Sequence, residues 1–334
     1  MSEPHSGSTA VVAADSGDQE PSSPVPTGVP AADDANPAVH AAGNGFASGI
    51  AHSLSDRTSR LDEIRARARA RDEAREQARE AHAYVRAGGI RRRRTPEELK
   101  NVVERGQALL HGTSLPGGPG TQREASAEAV IAWAVREFGP WLAVASSMQD
   151  TVLAHLVSRQ LPWVDVLFGD TGYHFAETIG TRDAAELSLD VNIVDVRPEL
   201  TVAEQDARYG ARLHDRDPEK CCAMRKVAPM KQALRNYEAW ATGLRRGEAS
   251  TRRNAPLITW DERNQVVKIN PLAGWTDEEV EEYAARNGLV VNPLHDDGYP
   301  SIGCAPCTQR VENGADKRSG RWAGLDKVEC GLHA

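Results

Sequence analysis

The stretch that decides the fold is residues 141–175, WLAVASSMQDTVLAHLVSRQLPWVDVLFGDTGYHF. It opens with a short apolar run, WLAVAS (141–146), turns tightly, and continues as a helical pattern, TVLAHLVSRQ (151–160). A second apolar run follows, VDVLFGD (164–170), then helical HFAETIGTRDAAELS (174–188) and a third run, VNIVDV (191–196). Short continuous apolar runs separated by helices imply strands buried on both faces and paired in parallel. The fold class predicted is α/β: an open, mostly parallel sheet flanked by helices. Ligands of such folds sit beyond the carboxyl ends of the strands. Two of those ends, ASSMQD and GDTGYHF, hold the small and polar residues that a site needs. Ser146 and Ser147 offer hydroxyls and backbone N–H groups at a helix start, where an anion is favoured, although serines also cap ordinary helices. Asp170 could accept hydrogen bonds from a ribose or adenine, or simply cap its turn.

Outward from this core, the chain is 334 residues long with a formal net charge of -8. That balance argues against general nucleic-acid binding, which wants a basic footprint. No apolar run reaches bilayer length, and the start lacks the order of a secretory signal, so a cytoplasmic, thiol-reducing setting is expected. Residues 1–56 are rich in Ala, Gly, Ser, Pro and Asp, carry no Lys or Arg and have Phe46 as their only aromatic, which predicts disorder. Residues 57–94 invert the charge, with 13 Arg against 6 Asp plus Glu. A thin apolar stripe of Leu61, Ile64 and Tyr84 predicts a solvated or frayed helix. Residues 1–94 are therefore expected to be a low-complexity extension, disordered or partly helical, whose removal leaves activity within a few-fold. Residues 95–334 form the expected catalytic domain. Its first helix should start at TPEELK, with Thr95 capping, Pro96 first in the helix and Glu98 completing a capping box.

The cysteines are more informative than either turn. Cys221 and Cys222 are adjacent in EKCCAMRK, and Cys304 and Cys307 form a Cys-x-x-Cys loop in SIGCAPCTQR. Four thiols in two close pairs can hold a tetrahedral zinc or an iron–sulfur cluster. A vicinal pair is unusual for a zinc ribbon, and a Cys304–Cys307 redox disulfide would leave Cys221 and Cys222 unexplained. Cys330 stands apart, in the terminal KVECGLHA. Basic pairs recur beside Gly, Cys and Trp: Arg225 and Lys226, Arg245 and Arg246, Arg318 and Arg321. Arginine's rigid fork matches sulfate and phosphate oxygens, and surface solubility accounts poorly for all three pairs.

The chain resembles the thioredoxin-dependent adenylyl-sulfate reductases of assimilatory sulfate reduction. The resemblance rests on SSMQDTVLAHL, DTGYHFAET, CCAMRKVAPM, WATGLRRGEAS, VVKINPLAGWT, NPLHDDGYPSIGCAPCT, GRWAG and KVECGLH, in family order from about Trp141 to His333. It implies an adenine nucleotide α-hydrolase-like, Rossmann-like fold with a mobile C-terminal tail. It implies Cys330 as the nucleophile on adenosine 5′-phosphosulfate, giving an S-sulfocysteine that thioredoxin, a separate protein, resolves to sulfite. Lys226, Arg245, Arg246, Arg318, Arg321 and His333 are then substrate-binding residues, beside Ser146, Ser147 and Asp170. Cys221, Cys222, Cys304 and Cys307 are then ligands of one [4Fe-4S] cluster. The ASSMQD loop departs from the family in being shorter than its usual Ser-Ser-Phe-Gly-type loop. Competing readings are a phosphoadenylyl-sulfate reductase and a zinc-stabilised, non-enzymatic module. A tRNA-thiolating or ATP pyrophosphatase reading would want a Ser-Gly-Gly-x-Asp-Ser loop, and SSMQDT lacks the double glycine. No nucleic-acid or membrane partner is expected, and the oligomeric state is left open, a homo-oligomer included.

Overall fold

The computed structural model describes residues 43–110, 124–312, 315–325, 327, 329, 331 and 332, with side chains from residue 59 onward. Contacts divide the chain into two units, 1–64 and 65–334. Of the first, only helical residues 43–64 are described. The disorder predicted for residues 1–42 thus lies outside the described residues. Residues 43–56, predicted disordered with them, are helical. No proline falls between Pro37 and Pro96, so nothing in that run blocks a continuous helix, although residues 43–56 hold three glycines and no arginine and the Ala- and Arg-rich helix formers begin only at Arg57.

Helix α1 (Gly43–Arg86) leads to α2 (Pro96–Leu110), α3 (Ala127–Phe138) and the first strand, β1 (Leu142–Ser146). Then α4 (Val152–Ser158), β2 (Val164–Gly169), α5 (Ala176–Ser188) and β3 (Val191–Val196) alternate as predicted. Short helices α6 (Val202–Tyr209), α7 (Leu213–Arg216) and α8 (Pro218–Cys222) follow, and one π-helical turn, Ala223–Val227, joins α8 to α9 (Ala228–Leu234). Strands β4 (Ala239–Thr242), β5 (Ile258–Asp261) and β6 (Val266–Ile269) precede α10 (Asp277–Asn287). The six strands run in the order β3-β2-β1-β4-β6-β5, all parallel except the β5–β6 pair. Both faces are covered. Leu142 and Val144 of β1 pack with α2, α3 and α4 residues, while Ala143 joins Leu167, Trp240, Met230 and Leu234 on the other side. The chain leaves β1 toward β2 and β3, then returns to β4 on its opposite side, which makes the β1–β4 boundary the switch point. No helix among the described residues is long and apolar enough to cross a membrane.

The capping box at α2 forms as read: the Glu98 amide donates to the Thr95 hydroxyl, and the Thr95 amide donates to the Glu98 carboxylate. The solvated face expected over 57–94 does not continue past Ala70. Arg71, Arg75, Ala78, His82 and Val85 are half-buried, a helical stripe built mainly from polar and charged residues instead of apolar ones. Arg86 pairs at 2.8 Å with Asp165, a carboxylate 5 % exposed that also accepts from Tyr237 and Asn192. Arg91 donates bidentately, 2.7 Å on each oxygen, to Glu238, which is 0 % exposed and which Arg94 also engages. Asp165 lies near the start of β2 and Glu238 just before β4. The arginine segment therefore closes the amino end of the sheet, and the compact unit begins at Arg65, where the sequence put the domain boundary at 94/95.

Candidate active site

A cleft of about 210 Å³ opens at the carboxyl ends of β1, β2 and β4. One wall is the turn after β1. The Ser146 hydroxyl accepts from the Met148 amide at 3.2 Å, and Met148 adopts a left-handed φ of 57° with no glycine to ease it. Buried Asn292 holds this turn from behind, donating to the Met148 carbonyl while its own amide donates to the Gln149 carbonyl. Ser146 and Ser147 both line the cleft, together with Asp150. Burial, only partly countered by the Val152 amide and Arg245, raises the Asp150 carboxyl above the usual range.

The cleft cations expected from the sequence come from three elements. Lys226 reaches in from the π turn, Arg245 from the end of β4, and Arg318 and Arg321 from the C-terminal segment, where Arg321 stacks on Trp322 at 4.6 Å. Arg245 also pairs with Asp277 at 2.6 Å and Glu248 at 3.2 Å. Two predicted site residues sit elsewhere. Arg246 lies outside the cleft wall, gripping Glu124 bidentately at 2.6 and 2.8 Å and the Ala255 carbonyl. Asp170 is also outside it: one carboxylate oxygen caps the Gly172 amide at 3.0 Å and the other meets Arg197 at 3.2 Å. Gly172 needs its φ of 72° for this turn, and a Cβ there would press on Arg225. Arg225 is an internal clamp, 3 % exposed, donating to the Thr171 and Leu200 carbonyls and to Gln205. Cys330 and His333 lie outside the described residues.

The four paired cysteines line one pocket next to the cleft. Cys221 and Cys222 end α8, whose first turn Asp217 caps, and Cys304 and Cys307 flank a 3-10 turn anchored by the Ala305 amide on the Tyr173 carbonyl. All four are free thiols. Burial pushes Cys221 up to about 12, with the like charges of Cys222, Cys304 and Cys307 adding to it, and burial pushes Cys307 up to about 11. Burial would raise Cys304 too, but Lys226, the Thr171 hydroxyl at 3.3 Å and Arg321 outweigh it and lower it. Among the described residues, no group of three or more His, Cys, Asp or Glu side chains is set to hold a metal ion. Four soft thiols around a single pocket, two of them raised by burial and by neighbouring cysteines and a third lowered by a cation, are of the residue type that could hold a soft metal centre. Lys226 lines both this pocket and the cleft.

Sequence reasoning missed the cleft residues Glu248 and Arg252, whose i, i+4 spacing was an available signal. His174, expected with Ser147 and Asp170 on the ribose side, lines the cleft. Burial lowers that imidazole's pKa, and its Nε2 lies 2.9 Å from the Gly169 carbonyl.

A cleft at the switch point of a parallel α/β sheet, with serine hydroxyls on one wall and lysine and arginine on the other, is an arrangement suited to an anionic ligand on a Rossmann-like fold. Residues 139–310 match the phosphoadenosine phosphosulfate reductase domain. The chain belongs to that family and is an oxidoreductase. It is 54% identical over 245 residues to a Streptomyces coelicolor protein named adenosine 5′-phosphosulfate reductase, covering 73% of this chain and 98% of that one. A Mycolicibacterium smegmatis protein of the same name is 56% identical over 239 residues, 72% and 96% of the two chains. A solved phosphoadenylyl-sulfate (PAPS) reductase from Candida auris aligns with a TM-score of 0.49 at 28% identity, over 56% of this chain and 91% of that one.

Proposed function

We propose that this protein reduces adenosine 5′-phosphosulfate to sulfite and AMP in assimilatory sulfate reduction, serving cysteine biosynthesis, with thioredoxin as the electron donor. The observation that carries the reading is the shared wall formed by Lys226 between a cationic nucleotide cleft and a four-cysteine pocket. Relatives more than half identical and named for this reaction support the unphosphorylated nucleotide as substrate. Cys330, as thiolate, would attack the sulfate sulfur. The sulfur–oxygen bond to the phosphate breaks, AMP leaves with the electron pair, and the enzyme carries an S-sulfocysteine. Lys226, Arg318 and Arg321 would screen the sulfate oxygens against the approaching thiolate, and the turn at Ser146 and Ser147 would face the nucleotide. A thioredoxin thiolate then attacks Cys330 Sγ and sulfite leaves. Thioredoxin's second thiol resolves the mixed disulfide, so its dithiol supplies both electrons and Cys330 is restored.

Cys221, Cys222, Cys304 and Cys307 would hold one [4Fe-4S] cluster. When bound, that cluster supplies a fixed charge beside Lys226 and staples α8 to the 304–307 turn. The test is sulfite release from adenosine 5′-phosphosulfate and its 3′-phosphorylated analogue, with thioredoxin, on anaerobically purified protein. Cys330→Ser should abolish release from either while retaining iron and AMP affinity. Loss of iron in that variant would overturn the four-plus-one division of the cysteines.

A further inference from the structure

The residue before Cys330 is a glutamate that the reaction scheme leaves without a task. Its side chain is only 10 % exposed. Arg252 Nε and Nη2 donate to its two oxygens at 2.7 and 2.8 Å, Arg318 Nη2 reaches Oε2 at 3.2 Å, and the Thr251 hydroxyl donates to Oε1 at 3.2 Å. Arg252 is itself held by Glu248 through Nη1. Beyond Cys330, the Gly331 carbonyl accepts from Arg263, and Leu332 packs against the apolar cluster of Met230, Leu234 and Trp240 while lining the cleft. The tail is thus gripped on both sides of Cys330.

A carboxylate beside a site built for anions is unfavourable unless it is matched locally. We propose that Glu329 is the positioning residue that docks the tail on the cleft, and that Arg252 is its receptor, serving the tail and not the substrate. Arg252 fits that role because its guanidinium is divided between Glu248 and Glu329. Arg318 both lines the cleft and touches Glu329, so an anion arriving at Arg318 meets the docked tail directly. The inference rests on the reading of Cys330 as the nucleophile, but it concerns docking, which can be measured without turnover.

The measurement is alkylation of Cys330 by iodoacetamide in the full chain, purified anaerobically with its iron, without nucleotide or thioredoxin. It is followed by mass spectrometry of the tryptic peptide 328–334, whose single cysteine is Cys330. Glu329→Gln and Arg252→Gln should each alkylate about tenfold faster than the parent, because each breaks a desolvated charge pair. The double variant should be no faster than the faster single, since both changes remove the same contact. A purely local field would behave differently: losing the carboxylate would speed the thiolate, whereas losing the guanidinium would slow it. Slower alkylation in Arg252→Gln, or an unchanged rate in Glu329→Gln, overturns the proposal. Glu329→Asp, which keeps the charge and withdraws the oxygens by one methylene, should fall between parent and Glu329→Gln; parental protection there would equally count against it. Sulfite assays on Cys330→Ser decide the reaction scheme separately.

Discussion

Lys226 carries the largest single consequence of any side chain described. It sits in a π turn, an insertion that swings one residue out of the regular helical register and is often found at functional sites. There it contacts the Cys304 thiol and lines the cleft. Lys226→Gln keeps the length and removes the charge. The expected outcome is a fall in kcat/KM for sulfite release of about 10²- to 10³-fold, the usual cost of losing one preorganised oxyanion partner, with the fold retained. Arg246→Gln is the contrast. Its partner is Glu124 and it stands outside the cleft, so steady-state assays should find kcat/KM within about three-fold of the parent, the scale of a partly exposed ion pair. A large loss on Arg246→Gln and a small one on Lys226→Gln would reverse the assignment. Arg245 and Arg246 show the limit of the sequence at this scale: the dipeptide marks a basic site without saying which residue faces it. That depends on β4 ending at Thr242 and on which acids, Asp277 or Glu124, stand opposite.

At the scale of elements, long apolar or amphipathic runs were legible and short ones were not. WLAVAS, VDVLFGD and VNIVDV each fill a strand of the covered sheet, and each became one within a residue of its expected ends. β4, β5 and β6 have four residues apiece, too few to show a period, and they stayed unread as strands. The arginine segment was misjudged for another reason: its arginines are matched by Glu186, Asp165 and Glu238, which stand far away in sequence and close only in the fold. Removing residues 1–64 should leave melting and activity unchanged. Removing 1–94 strips Arg86, Arg91 and Arg94 from two buried carboxylates and should cost about 3–5 kcal/mol of stability, measured by urea unfolding. For Glu238, burial would raise the carboxyl, but Arg91 and Arg94 hold it below the usual range. Its contribution is therefore full above that range and is lost as pH falls through the lowered value. The stability gap between intact and shortened proteins should narrow as pH falls below the ordinary glutamate range toward that lowered value. Equal unfolding midpoints at pH 7 would show that the segment only rests on the surface.

For the whole molecule, where the charges lie matters more than how many there are. Arg86 and Arg91, from the basic run over 65–94, dock at the amino ends of β2 and β4, while the cleft opens at the carboxyl ends of the same strands. Those two cations therefore stand at the end of the sheet opposite the cleft. At the cleft rim, Arg245 is met by Asp277 and Glu248, and Arg252 by Glu248 and Glu329. A 3′-phosphate would add about 1.5–2 negative charges to the substrate near neutral pH and would have to find a cation in this balanced setting. The net charge of -8 further disfavours the more anionic nucleotide during approach. The 3′-hydroxyl form requires no such partner. The expected kcat/KM for adenosine 5′-phosphosulfate exceeds that for the 3′-phosphorylated form by at least about tenfold, roughly 1.4 kcal/mol of transition-state discrimination. Because part of the difference is long-range repulsion, the ratio should shrink as salt rises from about 0.01 to about 0.15 M and the screening length contracts. Equal kcat/KM values at matched low ionic strength would overturn this, and Arg197, which reaches Asp170 at the end of β2, would become the residue to replace next.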